Sequence, residues 1–98
     1  MRIEFIDRES GPKNLISDAE IHFEIEDGLL AGLKLVGFSL WRSEAGDPGV
    51  TVPGRPWGDA GERKFFDLLR AGDGGGDALR KLKAALCAQH RLRGRSAA

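Results

Sequence analysis

A chain of 98 residues can close around one core, and 41% hydrophobic residues make that core thin enough for dimerisation to be a natural supplement. The single cysteine, Cys87, excludes an internal disulfide and a multi-cysteine zinc site, and no apolar run approaches the ~20 residues that cross a bilayer. The 15 basic and 15 acidic residues cancel, yet the first 27 residues hold eight acids against three bases and the last 21 hold six bases and no acid. Such polarity fits an anionic partner at one end, head-to-tail self-attraction, or an acidic sheet edge facing a basic helix inside one fold. Arg2, Glu4 and Asp7 interrupt the start of the chain where a leader would be apolar, so a cytoplasmic protein is expected.

In chain order, Met1–Arg8 alternates roughly and reads as a short strand, with Ile3 and Phe5 on one side and Arg2 and Glu4 on the other. Ser10-Gly11-Pro12 signals a turn. Ala19–Glu26 alternates most cleanly. Ile21, Phe23 and Ile25 would face in, and Glu20, His22, Glu24 and Glu26 would form a solvated acidic face. Asp27-Gly28 suits a tight hairpin. The run Leu29–Arg42 reads as a long strand whose parity slips. Leu29, Ala31, Leu33 and Leu35 keep one parity, and Val36, Phe38 and Leu40 the other. Either both faces are covered or a bulge shifts the register near Val36-Gly37, where glycine is suited to it.

Ala45–Gly49 is a loop, and Val50–Pro53 a short strand that proline ends. Gly54–Gly61 reads as irregular. Arg63–Arg70 is ambiguous: Phe65, Phe66, Leu68 and Leu69 fit one helical face, but the segment equally suits the return strand of a hairpin turning at Asp59–Gly61, which is favoured here. Asp73–Gly76 is a hinge. Asp77 is a good N-cap for a helix from about Ala78 to about Leu92, with Ala78, Leu79, Leu82, Ala85 and Leu86 on one stripe and Arg80, Lys81, Lys83 and Arg91 opposite. Residues 92–98 are expected to fray. The fold class is therefore α+β: one domain over residues 1–98, a curved antiparallel sheet of four or five strands, and one C-terminal helix.

This order resembles that of the stage V sporulation protein G family, the small bacterial septation regulators. Phe23–Arg42 looks like that family's long central hairpin. Gly49-Val50-Thr51-Val52-Pro53-Gly54-Arg55 is similar to its short apolar strand closing in proline, a small residue and a base. Gly61-Glu62-Arg63-Lys64-Phe65-Phe66-Asp67 sits where the family places a turn and a return strand. The resemblance covers roughly residues 18–92 and lies in pattern and spacing. The Gly74–Gly76 hinge and the loop holding Trp57 depart from it. It implies a homodimer paired through sheet edges, and nucleic-acid binding through basic residues of the helix and the adjoining loop.

The residues themselves suggest the same chemistry. Arg80, Lys81, Lys83 and Arg91, continued by Arg93 and Arg95, form a stripe without compensating acids, and phosphate contacts need only positive charge held at backbone spacing. The stripe serves equally as a solvated face that complements the helix dipole. Arg55, Arg63, Lys64 and Arg70 surround Trp41 and Trp57, and arginines interleaved with aromatics can pair phosphates while stacking bases. Trp57 could instead fold back over the core, and Trp41 fits the core or a dimer interface.

His22 with Glu20 and Glu24 offers metal-ligand chemistry. Ligands spaced along one strand stand about 7 Å apart, however, and do not converge without another element, so no metal is expected. Cys87 and His90 share a helix side, where Cys87 suits burial as a small apolar group. No nucleophile–base arrangement and no phosphate loop is legible, so an enzyme and a cofactor are not expected. The reading is a small dimeric regulator that binds DNA or RNA by occupancy, through Arg80, Lys81, Lys83 and Arg91 with Arg55, Arg63 and Trp57 as a second surface. A protein-interaction module using an open strand edge or the acidic strand face is the competing reading.

Overall fold

A computed structural model describes residues 1–8, 11–44, 46, 48–58, 61 and 64–96. Among the described residues, six strands and one α-helix follow in the order β1 (Arg2–Ile6), β2 (Leu15–His22), β3 (Lys34–Trp41), β4 (Gly49–Thr51), β5 (Gly54–Trp57), β6 (Lys64–Asp67) and α1 (Ala78–Ser96). β1 to β4 form an antiparallel sheet in sequence order, and β5 pairs with β6 in a separate two-stranded ribbon. The class is α+β. The expected Gly54–Gly61 irregular stretch begins instead as a strand, because Arg55 and Pro56 find partners in Phe66 and Phe65. The ambiguous Arg63–Arg70 segment supplies that return strand, and its expected turn at Asp59–Gly61 lies largely outside the described residues.

The parity slip in the long strand is a bulge. Ala19 pairs with Phe38 but Ile21 pairs with Leu35, so β3 carries one extra residue at Val36-Gly37. Gly37 has φ +106°, and a Cβ built there would stand 3.2 Å from Pro53 Cβ. The glycine thus relieves the backbone and admits Pro53 against the strand. A second shift between Leu15 and Ser17 places an extra residue on β2. Between the shifts, Ala19, Phe38 and Leu40 come onto one face and are fully buried.

The strand expected at Ala19–Glu26 starts earlier, at Leu15, and ends at His22. Phe23 still bonds across to Gly32 and Leu33, but Ile25–Leu30 forms a short 3₁₀ segment in place of the tight Asp27-Gly28 hairpin. The Glu24 N–H donates to Asp27 Oδ2 at 2.7 Å, and the N-terminal ammonium lies 2.9 Å from Glu26 and 3.1 Å from Asp27. These donors, one local and one from the amino terminus, hold the acids outside the strand. Ile25, expected inside, is exposed, as is Leu29. Asp27 is held below the usual carboxylate range by the Glu24 N–H and by the ammonium. Glu26 is lowered first by its hydrogen bond to the same ammonium.

One face of the main sheet carries the core of Ala19, Ile21, Phe38, Leu40 and Val52, closed by Leu86 of α1, with Leu79 and Leu82 packed around it. The Cys87 thiol donates to the Pro48 carbonyl at 3.4 Å, and His90 meets Phe5 edge-on with ring centroids 5.2 Å apart. The helix thus passes over both edge strands' neighbourhoods. It continues beyond Leu92 to Ser96, where a frayed tail was expected. Arg93 is anchored there by Asp7, which offsets the modest cost of Gly94 in a helix. Asp77 immediately precedes the helix, and its carbonyl accepts the Lys81 N–H. Trp41 is not in the core. It stands half-buried with its indole N–H donating to Thr51 Oγ1 at 2.9 Å.

Candidate nucleic-acid interface

The β5–β6 ribbon is tied to the rest of the chain where Val52 and Pro53 enter the core region and the Leu68 N–H donates to the Pro53 carbonyl at 2.8 Å. Its register sorts its residues by face. Arg55 opposes Phe66 on one side, whereas Gly54 opposes Asp67 and Pro56 opposes Phe65 on the other. Two adjacent aromatics on a strand cannot both be buried against one layer, and neither is: Phe65 is 74% exposed and Phe66 43%.

Arg55 and Lys64 are exposed on this ribbon, and the Arg70 guanidinium lies 3.8 Å over the Phe66 ring. Arg70 Nε donates to the Asp67 carbonyl at 2.9 Å, which fixes the side chain and leaves its Nη donors for an anion. Leu69 and Arg70 share a small cavity of about 130 Å³ with Ala78, Leu79 and Leu82, so the exit of the ribbon adjoins the first turns of α1. On the ribbon's other side, Phe65 and Asp67 border a cavity of about 420 Å³ together with Trp41 and Thr51.

On α1, Arg80, Lys81 and Arg91 are exposed, and Lys83 is half-buried. The stripe is not free of compensating acids as expected. Arg80 Nη2 lies 3.3 Å from Asp77 Oδ1, one turn back. Arg93 makes a two-pronged pair with Asp7, one nitrogen at 3.0 Å and the other closer, and its guanidinium lies 5.7 Å from the Phe5 ring centroid. That guanidinium holds Asp7 below the usual carboxylate range. Asp7 of the acidic amino-terminal segment therefore neutralises one cation of the basic tail from within. Trp57 pairs in register with Lys64, and Arg63 lies outside the described residues.

The acidic strand face is likewise compensated. Glu4 of β1 lies directly opposite Glu20 of β2, and His22 Nε2 stands 2.8 Å from Glu4 Oε2 and 3.2 Å from Glu20 Oε1. Arg2 approaches Glu4 at 3.5 Å and Lys34 approaches Glu20 at 3.6 Å. Glu24, read from sequence as a companion of His22, has left the strand. Glu4 takes its place from across the sheet, through a pairing that the sequence does not declare. The signal for Phe65 and Phe66 was present in the chain: a Lys-Phe-Phe-Asp strand must turn one ring outward.

No protein-family model, curated protein or solved structure matches this chain. The likeness to the stage V sporulation protein G family rests on the residue pattern described above.

Proposed function

We propose that the protein binds single-stranded nucleic acid without turning it over, as a small cytoplasmic regulator, with the β5–β6 ribbon as its principal surface. One observation carries this reading: Arg55, Phe66 and the stacked Arg70 occupy one exposed face, with Phe65 bared on the reverse. A guanidinium lying on an aromatic ring offers a flat platform for a base and keeps donors at its edge for phosphate. Arg80 and Lys81 extend the positive surface along the adjoining helix, with Lys83 and Arg91 further along it. The ribbon ranks above the helix because carboxylates already engage Arg80 and Arg93.

The outer edge of β1 pairs with no strand among the described residues, and Ile6 and Leu92 are exposed beside it. Pairing of this edge with a second copy would give a homodimer and double the cationic surface. The same edge favours the competing reading, a docking site for an extended segment of another protein.

The test is anisotropy of a labelled single-stranded oligonucleotide across a salt series. Affinity is expected to fall steeply with salt, and Arg55→Gln is expected to flatten the log–log slope by about 0.7, the share of one phosphate contact. Phe65→Ala and Phe66→Ala are each expected to weaken binding by about 1–3 kcal/mol per lost stack with the slope retained. Reversal of Arg80, Lys83 and Arg91 to Glu is expected to cost less than reversal of Arg55 and Arg70. Binding that ignores all the ribbon substitutions refutes the assignment.

A further inference from the structure

The face of the main sheet opposite the core holds the strongest unassigned chemistry. Glu4, Glu20 and His22 each offer one ligand atom, and the three atoms lie within 4.8 Å of one another. Their backbone frame is regular. Register runs unbroken from Arg2–His22 to Ile6–Asp18, so Glu4 and Glu20 are direct cross-strand partners and His22 shares their face two residues along. Cross-strand partners on one face are the closest neighbours a sheet provides, and like charges so placed repel. His22 between the two carboxylates, with Arg2 and Lys34 at the rim, offsets that repulsion in part.

His22 Nε2 reaches both, at 2.8 and 3.2 Å. A single N–H cannot be aligned well with two acceptors at once. A cation seated between the three atoms interacts with all of them. Donor atoms about 2.0–2.2 Å from a tetrahedral ion stand roughly 3.3 Å from one another. The observed separations from the imidazole nitrogen, 2.8 and 3.2 Å, fall just short of that spacing, so a small outward shift of the carboxylates would admit the ion. One imidazole nitrogen and two carboxylate oxygens suit a first-row divalent ion better than magnesium or calcium, which prefer all-oxygen shells. All three side chains are reached from solvent or half-buried, and three protein ligands leave a coordination position for water.

We propose that Glu4, Glu20 and His22 form a binding site for a first-row divalent cation such as Zn²⁺. Arg2 and Lys34 set its affinity. Each lies at the rim, 3.5 Å from Glu4 and 3.6 Å from Glu20, and each side chain is more than half exposed and able to swing away. They compensate the carboxylates until the ion arrives, and their charge then opposes it. The ion would clamp the first strand to the second.

The experiment uses the whole untagged chain, with Zn²⁺ followed by calorimetry and Co²⁺ by visible absorption. One equivalent is expected to bind, with a Co²⁺ spectrum of mixed nitrogen–oxygen ligation. Loss of an outer-shell partner typically weakens metal affinity about 10–100-fold, so His22→Ala or Glu20→Gln, which remove ligands, are expected to cost at least that. Glu4→Gln, an exposed and size-conserving change, gives the same readout should the others fail to fold. Arg2→Gln and Lys34→Gln are expected to tighten binding several-fold, an outcome that a ladder of ion pairs alone does not produce. His90→Ala and Cys87→Ser are expected to leave affinity unchanged. A chain that takes up neither ion, or equal uptake by the folded His22→Ala variant, overturns the proposal.

Discussion

Gly37→Ala tests the reasoning about the bulge most directly. Two costs combine there. The residue has φ +106°, a backbone setting that L side chains rarely adopt, and such settings cost on the order of 1–3 kcal/mol. The new methyl would also stand 3.2 Å from Pro53 Cβ and 3.4 Å from both Pro53 Cα and Cγ. Pro53 is buried, and its ring has no rotamer to yield, so the strand must shift, at a typical overpacking cost of about 1–3 kcal/mol. The sum is roughly 2–6 kcal/mol. At about 4–8 °C per kcal/mol for a domain of this size, the melting temperature is expected to fall by at least about 8 °C.

Gly28→Ala supplies the control. Gly28 has φ +64°, and nothing lies within 4 Å of a Cβ placed there. Only the backbone is penalised: φ +64° with ψ −120° is a setting that glycine alone adopts readily, at a cost of about 1–3 kcal/mol. Thermal unfolding of both variants, followed by circular dichroism, is expected to separate them by several degrees, with Gly37→Ala the lower. Equal melting temperatures would refute the role given to Pro53. An unchanged Gly37→Ala would refute the bulge itself.

Other outcomes follow from the same packing and charges. Among the described residues, Leu86 is the one fully buried side chain that α1 sends into the core, so Leu86→Ala is expected to cost about 2–5 kcal/mol in chemical denaturation and to loosen the helix first in hydrogen exchange. Asp7 is lowered by Arg93, so their pair stabilises the fold above the ordinary carboxylate pKa of about 3.9 and loses that effect as pH falls through the lower folded value. The urea midpoints of wild type and Asp7→Asn are accordingly expected to differ slightly at neutral pH, to differ less in high salt because the pair is exposed, and to converge in strong acid. Thr51→Val removes the acceptor of the Trp41 indole N–H, and is expected to change tryptophan fluorescence with little loss of stability, because the bond is exposed.

Local pattern alone determined the α+β class and the helix start after Asp77, because each is written in residues near one another in the chain; the strand expected over Val50–Pro53 instead spans Gly49–Thr51. The Leu35-to-Val36 parity slip left two readings open, both faces covered or a bulge at Val36-Gly37, and the strand register decides for the bulge. Other features were decided in three dimensions. Glu4 meets His22 from 18 positions away, and Asp7 claims Arg93 from 86, through a strand pairing and a helix crossing that no local period encodes. The same holds for the end of β2. Alternation favoured a strand through Glu26, but the amino terminus of the neighbouring strand arrived beside it and drew Glu26 and Asp27 into ion pairs. Side-chain period tells a residue which way to face; the partner that waits there depends on register, and register is set by how the whole sheet closes over Leu86.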